Sequence, residues 1–163
     1  MMTKKFRIGI FATSRSLVER IQVITASQED EIHINNHGLD DAIPIGAEME
    51  RSGIEVIISR RGTAHLLREN LRIPVLSFPH RSLDILISLK KAAEIGSRIL
   101  LPVFRQELSG MSILEDLLNI DLVQAIYQDK VSLERAIAKS RREGCDVAVG
   151  GNVTQTFAED YGL

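Results

Sequence analysis

Short runs rich in β-branched residues alternate along this chain with segments in which apolar residues recur at helical spacing. Phe6–Phe11 reads as a first strand, and Ser14–Ala26 as a helix whose Leu17, Val18, Ile21 and Ile24 share one face. Glu31–Asn35 is a short edge strand. Leu39–Ser52 is a second helix, with Asp40 and Asp41 in its first turn, where acids suit the helix dipole. A buried strand at Ile54–Ile58 leads into a helix at Thr63–Leu71. Val75–Phe78 is a fourth strand, and Ser82–Ile95 an amphipathic helix stopped at Gly96. The scheme then repeats: strand Arg98–Val103, helix Ile113–Leu118, strand Leu122–Ile126, helix Ser132–Glu143, strand Asp146–Val149 and a last helix from Thr154 to Tyr161. Alternation of this kind implies parallel strands joined by right-handed crossovers. Two consecutive sets predict two α/β lobes, residues 1–78 and 79–163, joined near Ser77–Leu83 without a Pro/Gly/Ser-rich linker.

Ligands of open parallel sheets sit beyond the carboxyl ends of the strands, so the turns there carry the functional search. The most telling is Ser59, Arg60, Arg61, Gly62 and Thr63. A helix start offers free N–H groups and partial positive charge, and acids are its favoured neighbours. Two arginines at this position point to an anionic ligand that offsets their repulsion. The other turns are Ala12–Ser16 with Arg15, Pro79–Ser82 with His80 and Arg81, Phe104–Gln106 with Arg105, and Gly150–Thr154. Four of these five carry a cation, although acids outnumber bases in the whole chain, 22 to 20. The planar fork of arginine suits carboxylates and phosphates. The set predicts an anion site formed by Ser14, Arg15, Arg60, Arg61, Gly62, Thr63, Arg81, Ser82, Asp84, Gly151, Asn152 and Thr154. Each piece also has a plainer role. Ser14, Ser82 and Thr63 are good helix caps, the glycines ease turns, and Asp84 can complement a dipole or pair with Arg81.

Composition narrows the alternatives. A net charge of −2, no Trp and 4% aromatic residues argue against direct contact with nucleic acid. No apolar run approaches a membrane span, and the N-terminus reads as a strand rather than a signal peptide. The single cysteine, Cys145, cannot form an internal disulfide and reads as a small core residue in a cytoplasmic protein. No zinc spacing, cofactor loop, nucleophile elbow or metalloprotease motif occurs, so no catalytic residue, metal or cofactor is predicted. His33, His37 and His65 have no matching partners in the sequence. A small α/β enzyme using Asp84 or His80 as acid or base is the alternative to a sensor. A protein-interaction module is a third reading.

The runs VIISRRGTAHLLRENLRIPVLSF, SLDILISLKKAAEIGSRI and REGCDVAVGGNVTQTFAEDYGL resemble the N-terminal sensor domain of the propionate catabolism activator family. The family pattern has a serine–arginine–glycine–glycine–threonine–alanine turn, matched at Ser59–Ala64 with Arg61 in place of the first glycine. It has isoleucine–proline–valine, matched at Ile73–Val75. A serine–glycine–tyrosine–aspartate helix start retains Asp84 but has Ser82 and Leu83 where the glycine and tyrosine stand. A late glycine triplet before valine–threonine has Asn152 for its third glycine and retains Thr154. The resemblance implies two Rossmann-like three-layer lobes in a chelatase-like arrangement, with a ligand cleft between them. It further implies an effector-sensing module of a sigma-54-dependent activator, whose other parts are an ATPase domain and a DNA-binding domain. A tricarboxylate effector of the 2-methylcitrate kind would suit a cationic cleft. The substitutions at Arg61, Ser82, Leu83 and Asn152 instead predict a different small anionic metabolite, a carboxylate or a phosphorylated compound. Family domains continue past Gly162–Leu163, so the expectation is a truncated sensor. Homodimer formation is left open.

Overall fold

The computed structural model describes residues 5–78 and 82–163, the side chain of Ser82 excepted. The contacts separate into two units, Met1–Pro79 and His80–Leu163, and each holds one parallel sheet. The first unit contains β1 (Arg7–Phe11), α1 (Arg15–Thr25), β2 (Glu31–Asn35), α2 (Ala42–Arg51), β3 (Val56–Arg60), α3 (Arg61–Asn70) and β4 (Val75–Phe78). The second contains α4 (Ser82–Ala93), β5 (Arg98–Phe104), α5 (Met111–Leu118), β6 (Asp121–Tyr127), α6 (Lys130–Arg142), β7 (Val147–Ala148) and α7 (Asn152–Tyr161).

In the first unit the strand order is β2-β1-β3-β4. The chain steps outward from β1 to β2, returns across β1 to β3, and continues to β4. The direction of winding therefore reverses between β1 and β3, which makes their carboxyl ends the crevice of this sheet. Side chains alternate across the sheet. Ile57 pairs in register with Val75, and both join Phe11, Ala42, Ala64, Leu67 and Leu71 in the core under α2 and α3. Close approach of those helices depends on Gly46, where a Cβ would come within 2.8 Å of Leu67 and 2.9 Å of Leu71. The opposite face carries Ile10 and its register partner Ile58, then Leu76 beside Ile58. It is lined by α1, which buries none of its residues.

The second sheet has the order β6-β5-β7 and reverses between β5 and β7. Its core joins Leu89 and Ala92 of α4 to Ile99, Leu101, Val103 and Leu122. Leu133 and Ile137 of α6 are fully buried as well. Helix α6 is closed by a capping box in which Asp129 accepts from the Ser132 N–H at 2.7 Å, while Ser132 Oγ accepts from the Asp129 N–H at 3.0 Å. A hydrogen bond from Ser132 Oγ to Asp129 Oδ1 at 2.6 Å, joined by that from the Ser132 N–H, favours the charged carboxylate and holds Asp129 below its usual range. Cys145 is a core residue just before β7, and burial raises its thiol pKa.

Element boundaries depart from the sequence reading where polar residues enter regular structure. The strand expected at Ile54–Ile58 lies two residues later, at Val56–Arg60, and α3 starts at once with Arg61. No loop intervenes. A 3-10 turn at Leu39–Asp41 precedes α2, so the predicted helix is two elements. Two of the histidines do have neighbours: His33 Nε2 lies 2.6 Å from Glu31 Oε1, and His37 Nδ1 lies 2.8 Å from Asn35 Oδ1. His65 is exposed and pairs with Glu69 across 3.3 Å. Among the described residues, no helix is long and apolar enough to cross a membrane. Nor do those residues form a group of three or more His, Cys, Asp and Glu that could hold a metal ion.

Candidate functional site

Parallel pairing brings the ends of β1 and β3 side by side, and the predicted residues of the first unit collect there. Ser14 caps α1, accepting from the Leu17 N–H at 3.3 Å. Arg15 is exposed and pairs with Glu19 one turn later, at 3.0 Å. Arg60 is exposed, ends β3 and is the N-cap of α3, and no ion pair engages it among the described residues. Helix α3 has no acid in its first turn and no side-chain cap. The start of this helix therefore lacks two usual local devices, an acidic first turn and a capping side chain.

Arg61 sits at φ 51°, in the left-handed region. A residue with a Cβ is strained there and glycine is not. This explains physically why the related pattern has glycine at that position and what its replacement entails. Gly62 and Thr63 are buried behind it. The expectation that Thr63 caps its helix is corrected: the N-cap is Arg60, and Thr63 Oγ1 accepts from the buried Leu39 N–H at 2.8 Å. That bond ties α3 to a second backbone kink, since Leu39 also has a positive φ of 55°. Thr63 thus serves the fold through its side chain, whatever its backbone contributes.

A cavity of about 320 Å³ opens beside these residues. Ile10, Ile58 and Phe78 line it from the sheet, and Leu17, Ile21 and Ile24 from α1. Phe11, Ser59 and Arg60 complete its wall at the strand ends. Ser59 is 2% exposed, and its buried hydroxyl has no hydrogen-bond partner among the described residues. A polar search for cations at turns passes over both features. The serine reads as an ordinary strand-end residue, and the apolar positions read as core. The signal that could have found the cavity is the width of the apolar stripe on a short first helix facing a sheet of isoleucines.

In the second unit, Gly151, Asn152 and Thr154 follow the short strand β7, whose two residues pair with Ile99 and Leu100 in the first half of β5. Gly151 is the N-cap of α7 with φ −83° and ψ −177°, extended backbone open to any residue. Asn152 is exposed, and its carbonyl accepts from Thr156 Oγ1 at 3.1 Å. Thr154 is 5% exposed and lies against Gly150, where any Cβ would overlap its side chain. Gly150 is therefore a packing glycine. Arg105, absent from the predicted set, stands at the β5 end with φ 63°. Its guanidinium carbon lies 5.1 Å from the centre of the Phe104 ring, which meets Tyr127 edge-on at 5.5 Å. Asp84 is exposed in the first turn of α4, where Ser88 donates to its carbonyl at 2.8 Å. His80 and Arg81 lie outside the described residues, as does the side chain of Ser82.

One solved structure of high similarity supports this architecture. An NtrC family transcriptional regulator from Clostridium acetobutylicum superposes with a TM-score of 0.88 at 17% identity, covering 99% of this chain and 86% of that one. A LacI family transcriptional regulator from Enterococcus faecium, solved with bound ribose, gives a TM-score of 0.46 at 17% identity over 95% of this chain and 72% of the other. No functionally curated protein matches the sequence significantly. The sequence profile of the propionate catabolism activator matches residues 26–163. With that match over most of its length and two parallel α/β sheets in place, the chain belongs to the propionate catabolism activator family and is a regulatory domain of a transcriptional activator.

Proposed function

We propose that this domain senses a small anionic metabolite, a carboxylate or a phosphorylated compound, on behalf of a sigma-54-dependent activator. The observation that carries the reading is the start of α3. Arg60 and Arg61 stand at the crevice strand of the first sheet, on a helix end with no acid in its first turn and no side-chain cap. A negatively charged group there would meet the Arg60 guanidinium and the positive end of the α3 dipole together, with Arg61 adjacent. The left-handed backbone of Arg61 costs stability that a purely structural residue could avoid by being glycine. Its retention is accounted for if the side chain serves recognition.

Sensing requires that the ligand bind one arrangement of the domain more tightly than another, since differential affinity is all that moves the equilibrium. The ATPase and DNA-binding domains of the longer activator would read that shift. A thermal-shift screen with citrate, other di- and tricarboxylates, sugar phosphates and inorganic phosphate tests the proposal. A ligand at 100 times its dissociation constant adds about 2.7 kcal/mol to stability. Replacing Arg60 and Arg61 together by Ala should weaken binding by about 2–5 kcal/mol where the pairs are desolvated. Unchanged affinity in the double variant would remove the anion clamp from consideration.

A further inference from the structure

The cavity beside the arginines has the wrong lining for a compact polyanion. Most of its wall is aliphatic or aromatic, and its polar side chains are Ser59 and Arg60, both at the strand-end side. Its volume of about 320 Å³ falls at the small end of the range usual for small-molecule sites. Two of its walls are wet as they stand: Phe78 is 59% exposed and Ile24 is 69% exposed. The hydroxyl of Ser59 is buried without a partner among the described residues, a state that folded proteins generally avoid. It lies one residue before Arg60, on the strand beside which the winding of the sheet reverses.

We infer that the ligand is a monoanionic acid with an apolar body, its hydrocarbon part lying in this cavity and its head group meeting Arg60 and the Ser59 hydroxyl. The inference deepens the anion reading above and rests on it. An apolar body would take Ile24, Phe78 and their neighbours out of water. A rotation about the Cα–Cβ bond of Ser59 would bring its hydroxyl to a head-group oxygen. A carboxylate there would leave Arg60 with the ion partner that the described residues do not supply. A single charge matches the one cation, Arg60, among the described residues of the cavity wall, which is apolar beyond the strand ends.

The test is a titration of the intact chain with straight-chain monocarboxylates from butanoate to octanoate. The matching primary alcohols, citrate and inorganic phosphate are run beside them. Affinity should rise about fourfold for each added methylene, the factor equivalent to about 0.8 kcal/mol per buried CH₂, until the cavity is filled. Each carboxylate should bind at least tenfold more tightly than its alcohol. Ser59→Ala should lower carboxylate affinity several-fold while leaving the melting temperature of the free protein equal or higher, because it deletes an unsatisfied buried group. Ile24→Gln, on an exposed position of a helix that buries nothing, should flatten the chain-length dependence without unfolding the domain. If citrate or phosphate binds and the monocarboxylates do not, the apolar-body inference is overturned and the anion clamp survives. Alcohols binding as tightly as carboxylates would reduce the cavity to a plain apolar groove. Absence of binding by every probe would overturn both readings, and full affinity in Ser59→Ala would remove the hydroxyl from the site.

Discussion

Arg61 offers a perturbation in which backbone and side chain can be separated. Its φ of 51° places a Cβ close to the following carbonyl oxygen, a conformation that costs an L-residue roughly 1–2 kcal/mol. Arg61→Gly removes both the strain and the guanidinium. Arg61→Ala removes the guanidinium alone and keeps the strain. The two variants lose the same side-chain contacts, so their difference in stability isolates the backbone. Glycine gives back about 0.5–1 kcal/mol through the greater freedom of the unfolded chain. The Gly variant should therefore exceed the Ala variant by about 0.5–1 kcal/mol, or roughly 1–4 °C in melting temperature for a chain of this length. Urea and thermal unfolding, run side by side, measure it.

The same pair reports on recognition. A hydrogen bond to a charged group contributes about 1.5–3 kcal/mol, so both variants should lose about ten- to one-hundred-fold in affinity for the best anion of the screen, and by equal factors. Equal stability of the Gly and Ala variants would refute the strain argument. Affinity that survives in both would show that Arg61 is not a ligand contact, and the difference from the family pattern would then have no bearing on specificity.

Thr63→Val should cost about 1–3 kcal/mol, because the Leu39 N–H would be left buried without its acceptor; Thr63→Ser should recover most of it in urea unfolding. Asp129→Ala should lose about 1 kcal/mol through the helix cap. The Asp129 carboxylate is held below its ordinary range, so its contribution is complete above the unfolded value of about 3.9 and fades as pH falls through the lower folded value. Wild type and Asp129→Asn should accordingly converge in urea midpoint as pH is lowered from 5 towards 3. Cys145, buried and with its thiol pKa raised, should react with an aromatic disulfide reagent only at the rate of unfolding, and rapidly once urea is added. Fast labelling of the native chain would contradict its placement in the core.

The alternation of strands and helices was legible because each element of these sheets has its own hydrophobic period. Ile57, Val75 and Leu67 announce buried positions, and the order of elements implies parallel pairing. Boundaries were harder where the local signal conflicts with the tertiary one. Ser59 and Arg60 read as a turn, yet the β-ladder extends to them because Ser59 pairs with Ser77 and Arg60 with Phe78. No local feature of RRGT announces that an arginine occupies the left-handed position, since that conformation arises from the direct junction of β3 and α3. Strand order was likewise out of reach. It is the order β2-β1-β3-β4 that makes the ends of β1 and β3, rather than those of β4, the favoured crevice of the first unit.

That order also changes the weight of the individual candidates. A set built on turns alone treats every cation alike, and so ranks Arg15 beside Arg60 while omitting Arg105. The structure supplies reasons to separate them. Arg15 has an acid one helical turn away, a surface pair worth at most about 1 kcal/mol but enough to account for its presence. Arg60 and Arg61 begin a helix at a reversal point, and Arg105 ends β5, one of the two strands flanking the reversal of the second sheet. Arg61 and Arg105 hold left-handed backbones at those ends. Strain of about 1–2 kcal/mol at each is a sizeable fraction of the stability of a small domain, and replacing either residue by glycine would relieve it. Leu39 and Asn119 hold the same conformation without a charge, so the strain alone does not mark recognition, and it is the binding of Arg61→Gly and Arg61→Ala that separates a demand for charge from a demand of the chain path.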